Sequence, residues 1–242
     1  MVPFDEAVAA LGHAGERDLG EQRVDLDSII GSVDRETGFD RLFRPTSGEP
    51  WKRFEQINTA LRRGEAMPPV ELYRLGEAHF VIDGHHRVAV ARAMGEKDIT
   101  AHVIEILTTV GADRSLRLED LPLRSHARVF HDRVPLPTHL RSQLKLSTVE
   151  DYGDLAEGVE AWAFRSCQQR GELLNRREAA VAWFEEEYLP AIATLREAGL
   201  LDEQHPTESY MRLSCMRYRL QMTHHWGPEV LDRLRLKTGK AS

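Results

Sequence analysis

The chain has 242 residues, 41% of them hydrophobic and 29% charged, which suits one large or two ordinary domains and is too apolar for a disordered chain. Thirty-two basic side chains against 39 acidic ones leave a formal net charge of -7, which argues against a protein that coats nucleic acid by neutralising phosphates, with a local basic patch still open. Two cysteines, Cys167 and Cys215, cannot form a disulfide framework, no stretch reaches the roughly 20 apolar residues of a membrane span, and the N-terminus lacks a signal-peptide pattern, so a soluble cytoplasmic protein is expected.

Pro3 ahead of Phe4–Leu11 predicts a short helix stopped at Gly12. Residues 12–21, charged and glycine-bearing, read as loop. Val24–Leu26 reads as a short strand, and Asp27 as the cap of a brief turn. Residues 31–50 read as irregular, pinned by Phe39, Leu42 and Phe43. Trp51, Phe54, Ile57 and Leu61 have helical spacing. Pro68-Pro69 forces an extended entry into a hairpin over 70–82, followed by a helix through Val88–Ala93 and an alternating strand over Ile99–Ile106. Residues 1–120 carry 15 basic and 22 acidic side chains, whereas 121–242 carry 17 of each. The expected organisation is an N-terminal helix and loop over 1–21, a small mixed-sheet domain over 22–110, a linker over 111–121 and a mainly α-helical domain over 122–242. That second half begins with an irregular, proline-punctuated segment. Helices follow over about 152–170, over Val181–Leu195 with Pro190 inside, from Thr207 through Leu220, and over Glu229–Leu236.

One segment has chemical shape. Phe80-Val81-Ile82 runs into Asp83-Gly84 and then into a helix whose first turn holds His85, His86 and Arg87. The first turn of a helix presents unpaired N–H groups and the positive end of the helix dipole, which favours an anion. Gly84 permits close approach, Arg87 can clamp phosphate with two parallel bonds, and the histidines can donate to phosphate oxygens. Asp83 beside the same anion makes best sense holding Mg²⁺ or taking a proton from an attacking hydroxyl. The plain alternatives are that Asp83 caps the helix and that the histidines are solvated. Adjacent histidines do not share a helix face, which disfavours a zinc site.

On these residues the segment 24–106 resembles the ParB N-terminal/sulfiredoxin-like family: a short strand, an irregular stretch, a helix, a Pro-Pro-entered hairpin, Gly-His-His-Arg opening a helix, and a closing strand. The resemblance implies an α+β fold with a small mixed sheet and a phosphate-binding turn. Partitioning proteins carry Gly-Glu-Arg-Arg there and act on CTP; His85 stands where the glutamate would be. Sulfiredoxins carry Gly-Cys-His-Arg; His85 takes the cysteine position, so sulfinic acid reduction is not expected. The turn is also similar to that of archaeal free-serine kinases of the same superfamily. That likeness implies Asp83 near the metal or the substrate hydroxyl, with Gly84, His85, His86 and Arg87 cradling phosphates. It also calls for a glutamate, for which Glu71 is the candidate, with Asp25 and Asp27 as others. The whole chain looks like a largely actinobacterial group in which a ParB-like domain precedes a helical domain of unknown function. That likeness includes Phe39–Pro45, Trp183-Phe184, Tyr188-Leu189-Pro190 and Thr207–Tyr210.

Arg35, Arg41 and Arg44 lie on a glycine-bearing loop that, folded over the motif, completes a polyphosphate site; otherwise it is a solvated loop. In the second half, Tyr188, Glu208 and Tyr210 are candidates for a cleft, Trp162, Trp183 and Phe184 for core, and Cys215 for a buried thiol. Arg212, Arg217, Arg219, Arg233 and Arg235 form a candidate basic strip, and a DNA-binding helix-turn-helix there is disfavoured by the neutral charge. The leading expectation is a nucleotide-binding protein taking ATP or CTP with Mg²⁺, as a kinase-like phosphotransferase or nucleotidase acting on a small molecule. Its rivals are a non-catalytic regulator or DNA-binding protein, and an interaction protein with a vestigial phosphate site. A homodimer stays open.

Overall fold

The computed structural model describes residues 2–33, 39–40, 43–44, 46, 48–63 and 65–239. The chain divides into two compact units, residues 1–128 and 129–242. The first is mixed α/β and the second largely helical. Among the described residues no helix is long and apolar enough to cross a membrane.

The first unit runs β1 (Val2–Pro3), α1 (Phe4–Leu11), β2 (His13–Asp25), β3 (Ile29–Ser32), α2 (Glu49–Arg62), β4 (Val70–Leu75), β5 (Ala78–Asp83), α3 (His85–Ala93) and β6 (Asp98–Thr108). The strands form one mixed sheet in the order β1-β3-β5-β4-β6-β2. The hairpin pairs Leu72 with Val81, and β4 runs parallel to β6 with Leu72 opposite Val103. On one face Val70, Leu72, Val81, Ala101 and Val103 pack beneath Val88 and Ala91 of α3. On the other, Phe4 of α1 stacks on Tyr73 at 4.7 Å and meets Phe80 edge-on at 5.6 Å. Each fully buried valine, leucine or phenylalanine contributes about 1.5–3 kcal/mol, so packing on both faces holds the sheet together.

The reading of 12–21 as loop is overturned: residues 13–21 belong to β2, paired antiparallel with β6 from His13–Thr108 to Asp25–Asp98. The strand escapes a hydropathy pattern because it is a polar edge. Its side chains are held by polar contacts instead, an ion pair of Arg17 with Glu105 at 2.6 Å and a hydrogen bond between Asp18 and His102 at 2.7 Å, and its register shifts beside Gly15 and Gly20. The cap of the brief turn is Asp25 rather than Asp27, its carboxylate accepting from the Asp27 N–H at 2.9 Å. Within 31–50, Phe39 and Phe43 are buried as expected, while Leu42 lies outside the described residues.

The division between the units falls within α4 (Leu121–Arg133), a helix that starts at the Leu121-Pro122 step where irregular chain was expected. Pro122 is tolerated there because a first-turn residue has no N–H partner to lose. Then come α5 (Thr138–Arg141), α6 (Val149–Arg170), α7 (Arg176–Trp183), α8 (Leu189–Glu197), α9 (Pro206–Gln221) and α10 (Pro228–Thr238). Phe130, Leu155, Val159, Trp183, Phe184, Tyr188, Leu195, Tyr210, Leu213 and Leu234 share one core. Helices α7 and α8 are joined without a break by a wide π turn over Phe184–Tyr188, in which the Leu189 N–H reaches back five residues to the Phe184 carbonyl. The turn answers Pro190, which has no N–H to donate and whose ring would strike the carbonyl of Glu186 in a regular helix.

Candidate functional site

The turn after β5 is built as its sequence requires. Gly84 sits in the left-handed region at φ 102°, and α3 begins at His85 with no side-chain cap and no acidic residue in its first turn. A Cβ on Gly84 would lie 2.7 Å from Val70 Cγ1, so strand β4 closes on the turn from below.

The guanidinium of Arg87 is heavily committed. Its Nη1 donates to the carbonyls of Pro68 and Pro69, both at 2.6 Å, and Nη2 to Asp83 Oδ2 at 2.5 Å. Three of its five N–H groups are thereby used. The Arg87 side chain is 14% exposed and that of Asp83 69%. Arg87 therefore staples the proline-entered start of β4 to the start of α3, and Asp83 lies on the open side of that staple. Glu71 stands directly opposite Asp83 in the β4–β5 register and opposite His102 in the β4–β6 register. Like charges so placed repel, and the bond from Arg87 to Asp83 offsets part of that cost.

His85 turns inward. It is 6% exposed, its Nε2 lies 2.6 Å from Ser32 Oγ on β3, and its ring stacks near Phe39 and Phe43 at 6.0 and 6.2 Å. His86 is half-buried, edge-on to Phe39 at 4.9 Å. The two histidines thus pack with Phe39 and Phe43. Of the loop arginines, Arg35 and Arg41 lie outside the described residues. Arg44 is exposed, and its N–H donates to Asp40 Oδ1 at 2.8 Å.

Arg44 opens onto a cavity of about 980 Å³ on the flank of α3. Its walls include Ala89 and Arg92 of α3, Trp51 and Phe54 of α2, and Arg117. Trp51 and Phe54 stack at 5.6 Å and present an aromatic surface. Arg92 is held, donating to the carbonyls of Leu26 and Ile29 at 2.7 and 2.8 Å beneath a cation–π contact with Phe43 at 5.1 Å. Burial pulls its pKa down, countered by Asp27 and Asp40. Asp27, Glu96 and Glu119 also line the cavity, so its charge is mixed. The structure thus keeps Asp83, Gly84, His85, His86, Arg87 and Glu71 together at one end of α3 and places Arg44 beside the later turns of the helix. Among the described residues no group of three or more His, Cys, Asp or Glu side chains is placed to share a metal ion. A magnesium ion at Asp83 would draw most of its oxygens from a bound polyphosphate and water.

In the helical unit a second cleft, about 800 Å³, lies between α6 and α9. Glu208 and Tyr210, candidates from sequence, line it, and so do Trp162, half-buried, and Trp183, buried. Cys215 is exposed on its rim, correcting the expectation of a buried thiol. The buried face of α9 steps from Tyr210 to Leu213 to Arg217, and Cys215, two residues past Leu213, points elsewhere. Arg217, read as part of a basic strip, is instead 4% exposed. The signal for it was available: a charged residue four positions after Leu213 on the apolar stripe.

No family model matches the chain, and neither does any curated protein. Among solved structures, sulfiredoxin from Arabidopsis thaliana is similar at 13% identity and a TM-score of 0.27, over 34% of this chain and 82% of its own. Two structures of a pNOB8-like ParB N-domain are similar at 12% and 14% identity with TM-scores of 0.28 and 0.27, covering 86% and 87% of this chain and 84% and 80% of theirs. These are weak likenesses to ParB N-domain and sulfiredoxin-like folds, and they do not single out one family.

Proposed function

We propose that this is a non-catalytic binding protein whose α/β unit takes a nucleotide or other phosphorylated small molecule in the cavity flanking α3. The observation that carries the reading is the pairing, in one cavity of about 980 Å³, of the Trp51–Phe54 aromatic surface with the guanidiniums of Arg44 and Arg117. Stacking on an aromatic face suits a base and charge-assisted bonds suit phosphate. Pockets of this size are those that enclose small ligands. The reading is non-catalytic because Asp83, the residue expected to orient a hydroxyl, is held by Arg87, and Glu71 opposite it is a second carboxylate rather than a donor to phosphate.

The test is isothermal titration of the full chain with ATP and CTP, each with and without Mg²⁺, alongside an assay for released phosphate. Saturable binding of one nucleotide, weakened at least about tenfold by Arg44→Ala and without turnover, is the expected result. Phosphate release abolished by Asp83→Ala would replace this reading with phosphoryl transfer. Binding unchanged by Arg44→Ala and by Trp51→Ala would remove the cavity from the account, and a salt-sensitive shift of duplex DNA alone would move the ligand to nucleic acid.

A further inference from the structure

Helix α6 is polarised along its length. Residues 150–160 hold five carboxylates and no Lys or Arg, whereas 161–170 hold Arg165 and Arg170 and no carboxylate. Glu160 and Arg170 are already taken, by Arg133 and Glu186. Asp154 is exposed, and neither it nor Arg165 has a hydrogen-bond or ion-pair partner among the described residues. Asp151, Asp154, Gly158, Ala161 and Arg165 follow one another at steps of three and four, the spacing of one helix face, and all five line the cleft beside α9. Helix α9 runs alongside in the same direction and repeats the polarity. At its start Glu208 accepts from the N–H and the hydroxyl of Ser147, two residues before α6, at 2.8 and 2.7 Å. At its far end the charge of Arg165 acts on both Arg217 and His224. Residues 209–228 contain three arginines, two histidines and no carboxylate. The α6–α9 face is therefore acidic where the two helices begin and basic where they end. Apolar surface lies at the basic end, with Tyr218 43% and Met222 72% exposed. Between the two ends stands Gly158. Glycine weakens a helix relative to alanine, yet a Cβ at Gly158 would meet nothing within 4 Å, so packing within the chain does not call for a glycine there.

We propose that the α6–α9 face is the interface of a homodimer, a second copy lying antiparallel on it about a twofold axis between Gly158 and Ala161. Positions equidistant from the axis then meet. Asp154 faces the partner's Arg165, Arg165 faces the partner's Asp154, and Gly158 faces the partner's Ala161, where short side chains let the helices close. The acidic end of each copy lies on the basic end of the other, which is the self-complementarity that a twofold interface requires. Nucleic acid, uniformly negative, would suit one end of the face and be repelled by the other. Size agrees as well. Helix α6 has 22 residues, so the face is about 33 Å long and, across two helices, about 20 Å wide, of the order of the ~800 Å² that each partner gives to a specific interface. The dimer does not rest on the nucleotide reading, because every residue it uses belongs to the helical unit.

Sedimentation velocity of the full chain at low salt, from about 1 to about 200 µM, tests it. The expected result is a monomer–dimer equilibrium that saturates at twice the mass of the chain. Asp154→Arg and Arg165→Asp should each weaken the dimer at least about tenfold, since the twofold axis makes each change break two pairs and create two like-charge contacts. A chain carrying both changes should dimerise to within about threefold of wild type, because the exchanged charges pair again. Gly158→Gln should hold or raise the melting temperature of the helical unit while weakening the dimer at least about tenfold, so it carries the test if a charge reversal does not fold. A chain that stays monomeric throughout, a dimer indifferent to both folded single reversals, a double variant no better than the singles, or a dimer indifferent to Gly158→Gln would each overturn the proposal.

Discussion

Replacing Arg87 by methionine keeps most of the aliphatic volume and removes the staple between the Pro68-Pro69 entry and α3. Two bonds to backbone carbonyls at 2.6 Å and one to Asp83 at 2.5 Å are lost. A hydrogen bond from a charged donor is worth about 1.5–3 kcal/mol net, and the two carbonyl bonds fall at the lower end because one of them is exposed and water can replace it. The bond to Asp83 is discounted to about 0.5 kcal/mol, since that carboxylate is 69% exposed and screened by solvent. The expected loss is about 3.5 kcal/mol, a large share of the roughly 5–15 kcal/mol that holds a domain folded. Hydrogen exchange read on peptides from β4 and β5 at increasing urea isolates this unit from the helical one, where a single global midpoint would blend the two. Asp83→Asn in the same assay should cost under about 1 kcal/mol. If Arg87→Met changed the opening free energy of β4 and β5 by less than about 0.5 kcal/mol, the staple would be ornamental and the guanidinium would be free in solution to serve a ligand.

Gly84→Ala puts a Cβ at φ 102° and 2.7 Å from Val70 Cγ1, and should lower stability by about 2–3 kcal/mol in a thermal or urea melt, with no loss refuting the close approach. His79 is buried against Ser28, 2.9 Å from its Oγ, and burial foremost, with Arg74 and Arg114, takes its pKa from 6.5 down to about 4. The folded state therefore refuses a proton the unfolded chain accepts. Stability should fall by about 3 kcal/mol as pH drops from about 6.5 to 4 and level off below, and His79→Asn should flatten that decline. His131 is lowered to about 4 in the same way, chiefly by burial, so wild type and variant must be compared rather than the wild-type slope read alone. Asn175 accepts from the N–H groups of Arg177 and Glu178 at 3.0 Å while Glu178 returns a bond to its N–H. Asn175→Ala should cost about 1 kcal/mol, read as a lowered urea midpoint of the helical unit.

What the chain discloses before folding follows from where its signals are local. The hairpin, α1, α2, α3, β6 and the long helices are written in periodicity, proline and glycine, and each forms close to where those signals place it. Strand β2 is not, because an edge strand needs no apolar alternation when its partner is β6, whose residues pair with it across 73 to 95 positions of sequence. The turn at Asp83–Arg87 is visible as a strand-glycine-helix step, but the partners of its side chains are not: Arg87 meets carbonyls contributed by β4's entry, and His85 meets a serine from β3. Those are long-range contacts, and a motif read along the chain cannot tell a guanidinium awaiting phosphate from one already held. Arg217 is the reverse case. Its helical step announces burial, and only its charge led the reading outward.

The π turn at Phe184–Tyr188 holds one residue more than a regular helix would need. Deleting any residue there would rotate everything downstream by about 100° relative to α7. Glu187, which sits inside the turn and lines the cleft, would swing off the guanidinium it now balances. Segment length is thus the inherited quantity at this point: side-chain swaps in the stretch can be absorbed, whereas a change in the number of residues rewires the charge lining the cleft.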